Sequence, residues 1–129
     1  MAQKTEKTKE RKSMSNKNEN FSLSYAADRL TVSLLCEVDH HKTKPLREAI
    51  DRAVFAYRPK VLILDFSAVR FMDSSAIALI LGRSALGEDF GFRIVLCGLS
   101  KTAQRLLRLS GLEARANVCV EGTKGGREK

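Results

Sequence analysis

From Phe21 the chain begins to alternate. Phe21, Leu23 and Tyr25 are separated by serines, the period-two pattern of a strand with one face on a core. Ala26-Ala27-Asp28 reads as a turn, and Leu30, Val32 and Leu34 resume the alternation, so a β-hairpin is expected. The period then changes. Leu46, Ala49, Ile50, Ala53 and Val54 recur at helical spacing, with Thr43 or Lys44 as the expected cap and Pro45 in the first turn. Pro59 disfavours helical geometry at Arg58, which places the end of this helix near Tyr57. Val61 to Phe66 is apolar except for Asp65, the pattern expected of a central parallel strand covered on both faces. From Ser75 a second helix is expected, carrying Ala76, Ile77, Ile80 and Leu81 and ending near Gly87. Phe92–Cys97 reads as another buried strand. Ser100 caps a third helix through Ala103, Leu106 and Leu107, with Gly111 as its stop, and Val118–Val120 is a short last strand.

The order β-β-α-β-α-β-α-β predicts an α/β fold, with a mostly parallel sheet, right-handed crossovers and an antiparallel hairpin at one side. Residues 20–121 are expected to form one domain, residues 1–19 a disordered basic extension, and residues 122–129 a flexible tail. No apolar run approaches the roughly 20 residues of a membrane span, and the N-terminus lacks the apolar core of a secretory signal. The cysteines, Cys36, Cys97 and Cys119, are odd in number and far apart, as expected of reduced thiols rather than a disulfide framework or a CxxC site.

The net charge of +8 raises the question of a polyanion partner. Six bases and three acids lie within residues 1–20, and the rest of the excess is scattered over the domain and tail. Neither terminus interleaves aromatics with its bases, so no specific nucleic-acid site is expected.

The junction Met72-Asp73-Ser74-Ser75-Ala76 carries the most chemistry, since it falls where a buried strand hands over to a helix N-terminus. Such residues can cap the helix, act as nucleophiles, bind an anion or accept a phosphate. A serine hydrolase would need Gly-x-Ser-x-Gly or an oriented base, and the only histidines, His40 and His41, are adjacent in another segment. No catalytic residue is therefore assigned. Asp39-His40-His41 is too compact to converge on a metal ion, and neither GxxxxGK[ST] nor GxGxxG is present. Capping needs one residue of the three, and first-turn amides with the helix dipole suit a phosphate as well. Capping and phosphate acceptance both stay open on these grounds.

Asp65-Phe-Ser-Ala-Val-Arg-Phe-Met-Asp-Ser-Ser-Ala-Ile77, followed by Ile80-Leu-Gly-Arg83, resembles the phosphorylation motif of STAS-domain anti-sigma factor antagonists. Glu37-Val-Asp-His-His41 is similar to that family's second motif, and Ser110-Gly-Leu112 to the end of its third helix. The resemblance spans residues 21–120. It implies a STAS-type domain with a mixed sheet of about five strands, a phosphoacceptor at Ser74, and a kinase-facing surface of Asp39, His40, Asp73, Ser75 and Ala76. It further implies a protein that is not an enzyme, holds no cofactor and acts in the cytoplasm. Its partners would be an anti-sigma factor serine kinase, which supplies the ATP, and a serine phosphatase. No direct sigma-factor contact, no membrane contact and a monomer or weak dimer are implied. The alternative use of the fold is a phosphorylation-independent scaffold in a stress-signalling or transport complex. Two positions depart from the family pattern: Ala76 and Cys36 stand where it usually has glycine.

Overall fold

A computed structural model of the chain describes residues 13–121, with side chains from Lys17 onward. The expectations for residues 1–12 and 122–129 lie outside the described residues. The elements run β1 (Ser13–Lys17), β2 (Phe21–Ala26), β3 (Arg29–Leu34), α1 (His40–Tyr57), β4 (Val61–Asp65), α2 (Ser74–Phe90), β5 (Arg93–Cys97), α3 (Lys101–Ser110), a 3-10 turn at Leu112–Ala114, and β6 (Val118–Glu121). They form one sheet of six strands in sequential order, antiparallel from β1 to β3 and parallel from β3 to β6.

The extra strand corrects the expectation of a structureless segment through residue 19. Asn18 explains how it forms. Its Oδ1 accepts from the backbone N–H of Asn20 at 2.7 Å and of Phe21 at 3.0 Å, which turns the chain and lays β1 along the otherwise unpaired edge of β2. The next hairpin is closed by Ala27 and Asp28, both at positive φ (54° and 66°), the geometry of a type I′ turn.

Sequential order with crossovers of one hand places every helix on the same side of the sheet. The packing agrees. Leu46, Ile50 and Val54 of α1, Leu79 and Ile80 of α2, and Leu107 of α3 share one core with Leu30, Val32, Leu62, Leu64, Ile94 and Leu96 of the strands. Burying each such side chain is worth about 1.5–3 kcal/mol. The expectation that Val61–Phe66 is covered on both faces is therefore corrected. Leu62 and Leu64 are fully buried, whereas Val61, Ile63 and Asp65 on the other face are only half-buried. A strand of a one-sided layer can be apolar throughout when its outward residues are shielded by their strand neighbours.

Two helix boundaries also differ from expectation. α1 starts at His40 with Asp39 as its N-cap, so Pro45 lies inside the helix rather than in its first turn. α2 runs on to Phe90 and is closed by Gly91 at φ 82°. Gly87 lies within it, where a Cβ would stand 2.5 Å from the Phe92 carbonyl oxygen and 2.9 Å from Asn117 Nδ2. Close approach, not helix termination, requires that glycine. The same helix is tied to the start of β6 by buried Ser84, which donates to Asn117 Oδ1 at 2.7 Å and accepts from Arg115 Nε at 2.6 Å.

Candidate functional site

The loop from β4 to α2 is shaped before it reaches the serines. Asp65 Oδ1 accepts from the backbone N–H and the hydroxyl of Ser67, at 2.9 Å and 2.5 Å. Gly98, at φ 72°, lies so close to Ser67 and Asp65 that no side chain fits there. Phe66 folds inward to 2% exposure and the Val69 N–H bonds its carbonyl at 2.9 Å. The chain then runs beside the segment that precedes α1. Val38 N–H donates to the Phe71 carbonyl at 3.0 Å, and Asp73 N–H donates to the Val38 carbonyl at 3.2 Å, a parallel bridge between Val38 and Met72.

This bridge sets two helix starts side by side, and each is built the same way. Val38-Asp39-His40-His41 and Met72-Asp73-Ser74-Ser75 both place a hydrophobic residue on the sheet side and an aspartate at the cap. Asp39 Oδ1 accepts from His41 and Lys42 N–H groups, each at 3.0 Å, and Asp73 Oδ1 accepts from Ser75 N–H at 2.8 Å. Each cap is worth about 1 kcal/mol. Capping and exposure thus fall to different residues: Asp73 caps, and Ser74, the first residue of α2, is exposed.

The Ser74 hydroxyl has no hydrogen-bond partner among the described residues. Ser75 is half-buried and lines a cleft of about 440 Å³ between α1 and α2, with His40, Thr43, Arg47 and Arg83. Asp39 and His40 are brought to the same end of the molecule by the bridge, His40 exposed and Asp39 half-buried. Ala76 is different. It is fully buried in the core, so its methyl presents nothing to a surface, which corrects its assignment to an interface. Cys36 is half-buried beside the cap loop, and burial, with Asp39 and Glu37 nearby, pushes its thiol pKa above the ordinary value against the opposing pull of Lys42.

Two features of the site were missed in the sequence. One is Arg83 of α2, nearly buried, whose Nε lies 2.9 Å from Asp51 Oδ1 of α1 and pins the two helices below the cleft. Nothing in the spacing pairs these residues before the helices pack. The other is a mostly apolar cavity of about 150 Å³ between the Phe66–Met72 loop and α3, rimmed by Val69, Phe71, Met72 and Leu106 with Arg70, Ser100 and Thr102. Phe71 is 54% exposed there. The aromatic next to Met72 was its only signal.

A one-layered sheet with helices on one side, and a serine exposed at a capped helix start beside a second capped helix start, define a known class of domain. The STAS domain model matches residues 23–119, and the chain belongs to the STAS-domain family. Among relatives, it is 35% identical over 83 residues to the anti-sigma F factor antagonist of Paenibacillus polymyxa, covering 64% of this chain and 71% of that protein. The fold is similar to the anti-sigma factor antagonist SpoIIAA in its unphosphorylated form, with a TM-score of 0.60, 30% identity and coverage of 69% of this chain and 82% of that one. It is similar also to the Bacillus SpoIIAA structure in the phosphorylated form, with a TM-score of 0.61, 29% identity and coverage of 84% and 99%. Among the described residues, no helix is long and apolar enough to cross a membrane.

Proposed function

We propose that this chain is an anti-sigma factor antagonist switched by phosphorylation of Ser74. The observation that carries the reading is the Val38–Met72 bridge, which holds an exposed, uncapping Ser74 beside the Asp39 cap of the neighbouring helix. The similarity to SpoIIAA, a protein known in unphosphorylated and phosphorylated forms, supports the same reading.

In this reading the unphosphorylated chain binds an anti-sigma factor serine kinase through Ser74, Asp39, His40, Asp73 and Ser75, and a sigma factor is released. It makes no contact with the sigma factor itself. The kinase brings the ATP, so the chain needs no cofactor and performs no catalysis, and a serine phosphatase reverses the mark in the cytoplasm. A phosphate on Ser74 adds about two negative charges. Its own helix tolerates them, because the first-turn amides and the macrodipole favour an anion. The partner does not. The added charge falls where two capping carboxylates already stand, so a kinase surface that presents ATP phosphates meets repulsion and a desolvation cost.

The test is incubation with an anti-sigma factor serine kinase and ATP, read by intact mass and by titration. One phosphate is expected on the wild type and none on Ser74→Ala. Ser74→Ala should bind constitutively, and Ser74→Asp at least about tenfold more weakly, or 1.4 kcal/mol. Phosphate on Ser74→Ala, or equal affinity of the two variants, would overturn the reading.

A further inference from the structure

The side of the sheet away from the helices has a pattern of its own. β3, β4 and β5 are parallel and in register, so their outward residues form rows across the sheet. The first row holds Arg29, Val61 and Arg93. The second holds Thr31, Ile63 and Val95 and is continued on β6 by Cys119. The third holds Ser33, Asp65 and Cys97 and is continued by Glu121. Bases therefore stand at one end of the strands, acids at the other, and a mostly aliphatic row between them. Lys17, at the β1 edge of the third row, is the one other charge of this face among the described residues. Arg29, Arg93, Cys119 and Glu121 are exposed, and Val61, Ile63 and Val95 are half-buried and outside the core. No described helix packs on this side.

We propose that this face joins a second copy of the chain, sheet on sheet, about a two-fold axis that runs along the second row. The charge pattern selects both the occupant and the orientation. A two-fold axis across the strands reverses their direction in the other copy. Arg29 and Arg93 then face the end that carries the other copy's Asp65 and Glu121, and the second rows meet each other. Strands running the same way in both copies would instead set arginine against arginine. Packed sheets lie about 10 Å apart and within about 30° of alignment, so the short aliphatic side chains of the second row fill the space between them. At about 4.8 Å per strand and 3.3 Å per residue, the face projects to roughly 350 Å². That is under half of the ~800 Å² per partner of a standard stable interface, the size class of weak, transient contacts, and a reversible, concentration-dependent dimer is expected. Ser74 lies on the helix layer, and this contact leaves it accessible.

Sedimentation equilibrium of the full chain over roughly 5 µM to 1 mM tests the proposal, a range that spans micromolar to millimolar dissociation constants. A monomer–dimer equilibrium is expected. Ile63→Asp should be monomeric at every concentration with an unchanged far-UV spectrum, since the residue is outside the core. Arg93→Glu should weaken the dimer about tenfold, and Arg93→Glu with Glu121→Arg should recover most of that loss. A bismaleimide spanning roughly the 10 Å between sheets should join Cys119 of one copy to Cys119 of the other, and Cys119→Ser should abolish the product. A dimer that survives Ile63→Asp, or a double charge exchange no better than Arg93→Glu, overturns the proposal. So does a monomer throughout the range. If Cys119 of that monomer also resists alkylation, the face is covered by a segment of its own chain.

Discussion

Removing Arg83 or Asp51 singly should destabilise this protein more than replacing both together with apolar side chains. The Arg83 side chain is 8% exposed and that of Asp51 27%, and their Nε–Oδ1 separation is 2.9 Å. At an effective dielectric of about 20, two charges so spaced attract by about 6 kcal/mol before desolvation is subtracted. Two observations show that desolvation opposes this attraction. Burial raises the Asp51 pKa despite the arginines beside it, and lowers that of Arg83 despite the carboxylate. The contact is also poorly aligned, leaving Oδ1 and Nε without a hydrogen bond, and the other Arg83 bond, Nη1 to the Leu79 carbonyl, is a long 3.4 Å. A buried ion pair of this kind is close to neutral as a unit and costly to split. Asp51→Ala leaves a buried guanidinium uncompensated and should cost about 3 kcal/mol. Arg83→Met keeps the aliphatic stem, and the partly exposed Asp51 rehydrates, so about 1–2 kcal/mol is expected. Asp51→Leu with Arg83→Met should lie within about 1 kcal/mol of wild type. Urea unfolding of the four proteins gives the coupling energy directly. Additive losses, with the double variant as unstable as the sum of the singles, would refute the reasoning.

The two glycines of α2 should respond oppositely to alanine. Gly82 has nothing within 4 Å of a Cβ, so Gly82→Ala should stabilise by up to about 1 kcal/mol, whereas Gly87→Ala meets the Phe92 carbonyl and should cost about 1–2 kcal/mol net. Thermal melts that shift the same way for both would contradict the packing. Among the thiols, burial raises the Cys36 pKa, so at any pH below it the thiolate fraction is smaller than for an unperturbed thiol, and half-burial restricts access further. At pH 8 a disulfide reagent should therefore modify exposed Cys119 first. The Cys36 rate should keep rising with pH past the ordinary thiol range. Equal rates at the two sites would count against this.

The switch from period two to period 3.6 is a local signal, and it located the hairpin, the three helices and the later strands. It did so because a strand or helix must turn its apolar residues to one core whatever lies beyond. Edges were less legible. The cap of α1 is Asp39, but Pro45, which suits a first turn, drew the expected cap to Thr43 or Lys44. Gly87 looked like a helix stop because its real constraint, the Phe92 carbonyl 2.5 Å away from a Cβ, arises only when β5 returns against α2. β1 was invisible, since Ser13–Lys17 has no apolar pattern and is a strand only because β2 offers it an edge.

The chemistry of the candidate site divides in the same way. Sequence alone determined that Asp73, Ser74 and Ser75 stand at a helix start and that Ser74 lacks the Gly-x-Ser-x-Gly setting of a nucleophile elbow. Those are statements about neighbours along the chain. Only the tertiary structure decided which of the three caps the helix, which is exposed, and that Ala76 is core. Only it, through two backbone hydrogen bonds between segments more than thirty residues apart, brought the Asp39 cap beside Ser74. The same holds for the bare face of the sheet. An apolar strand reads alike whether one side or two are covered, because its sequence records how hydrophobic the neighbours are and not on which side the helices cross.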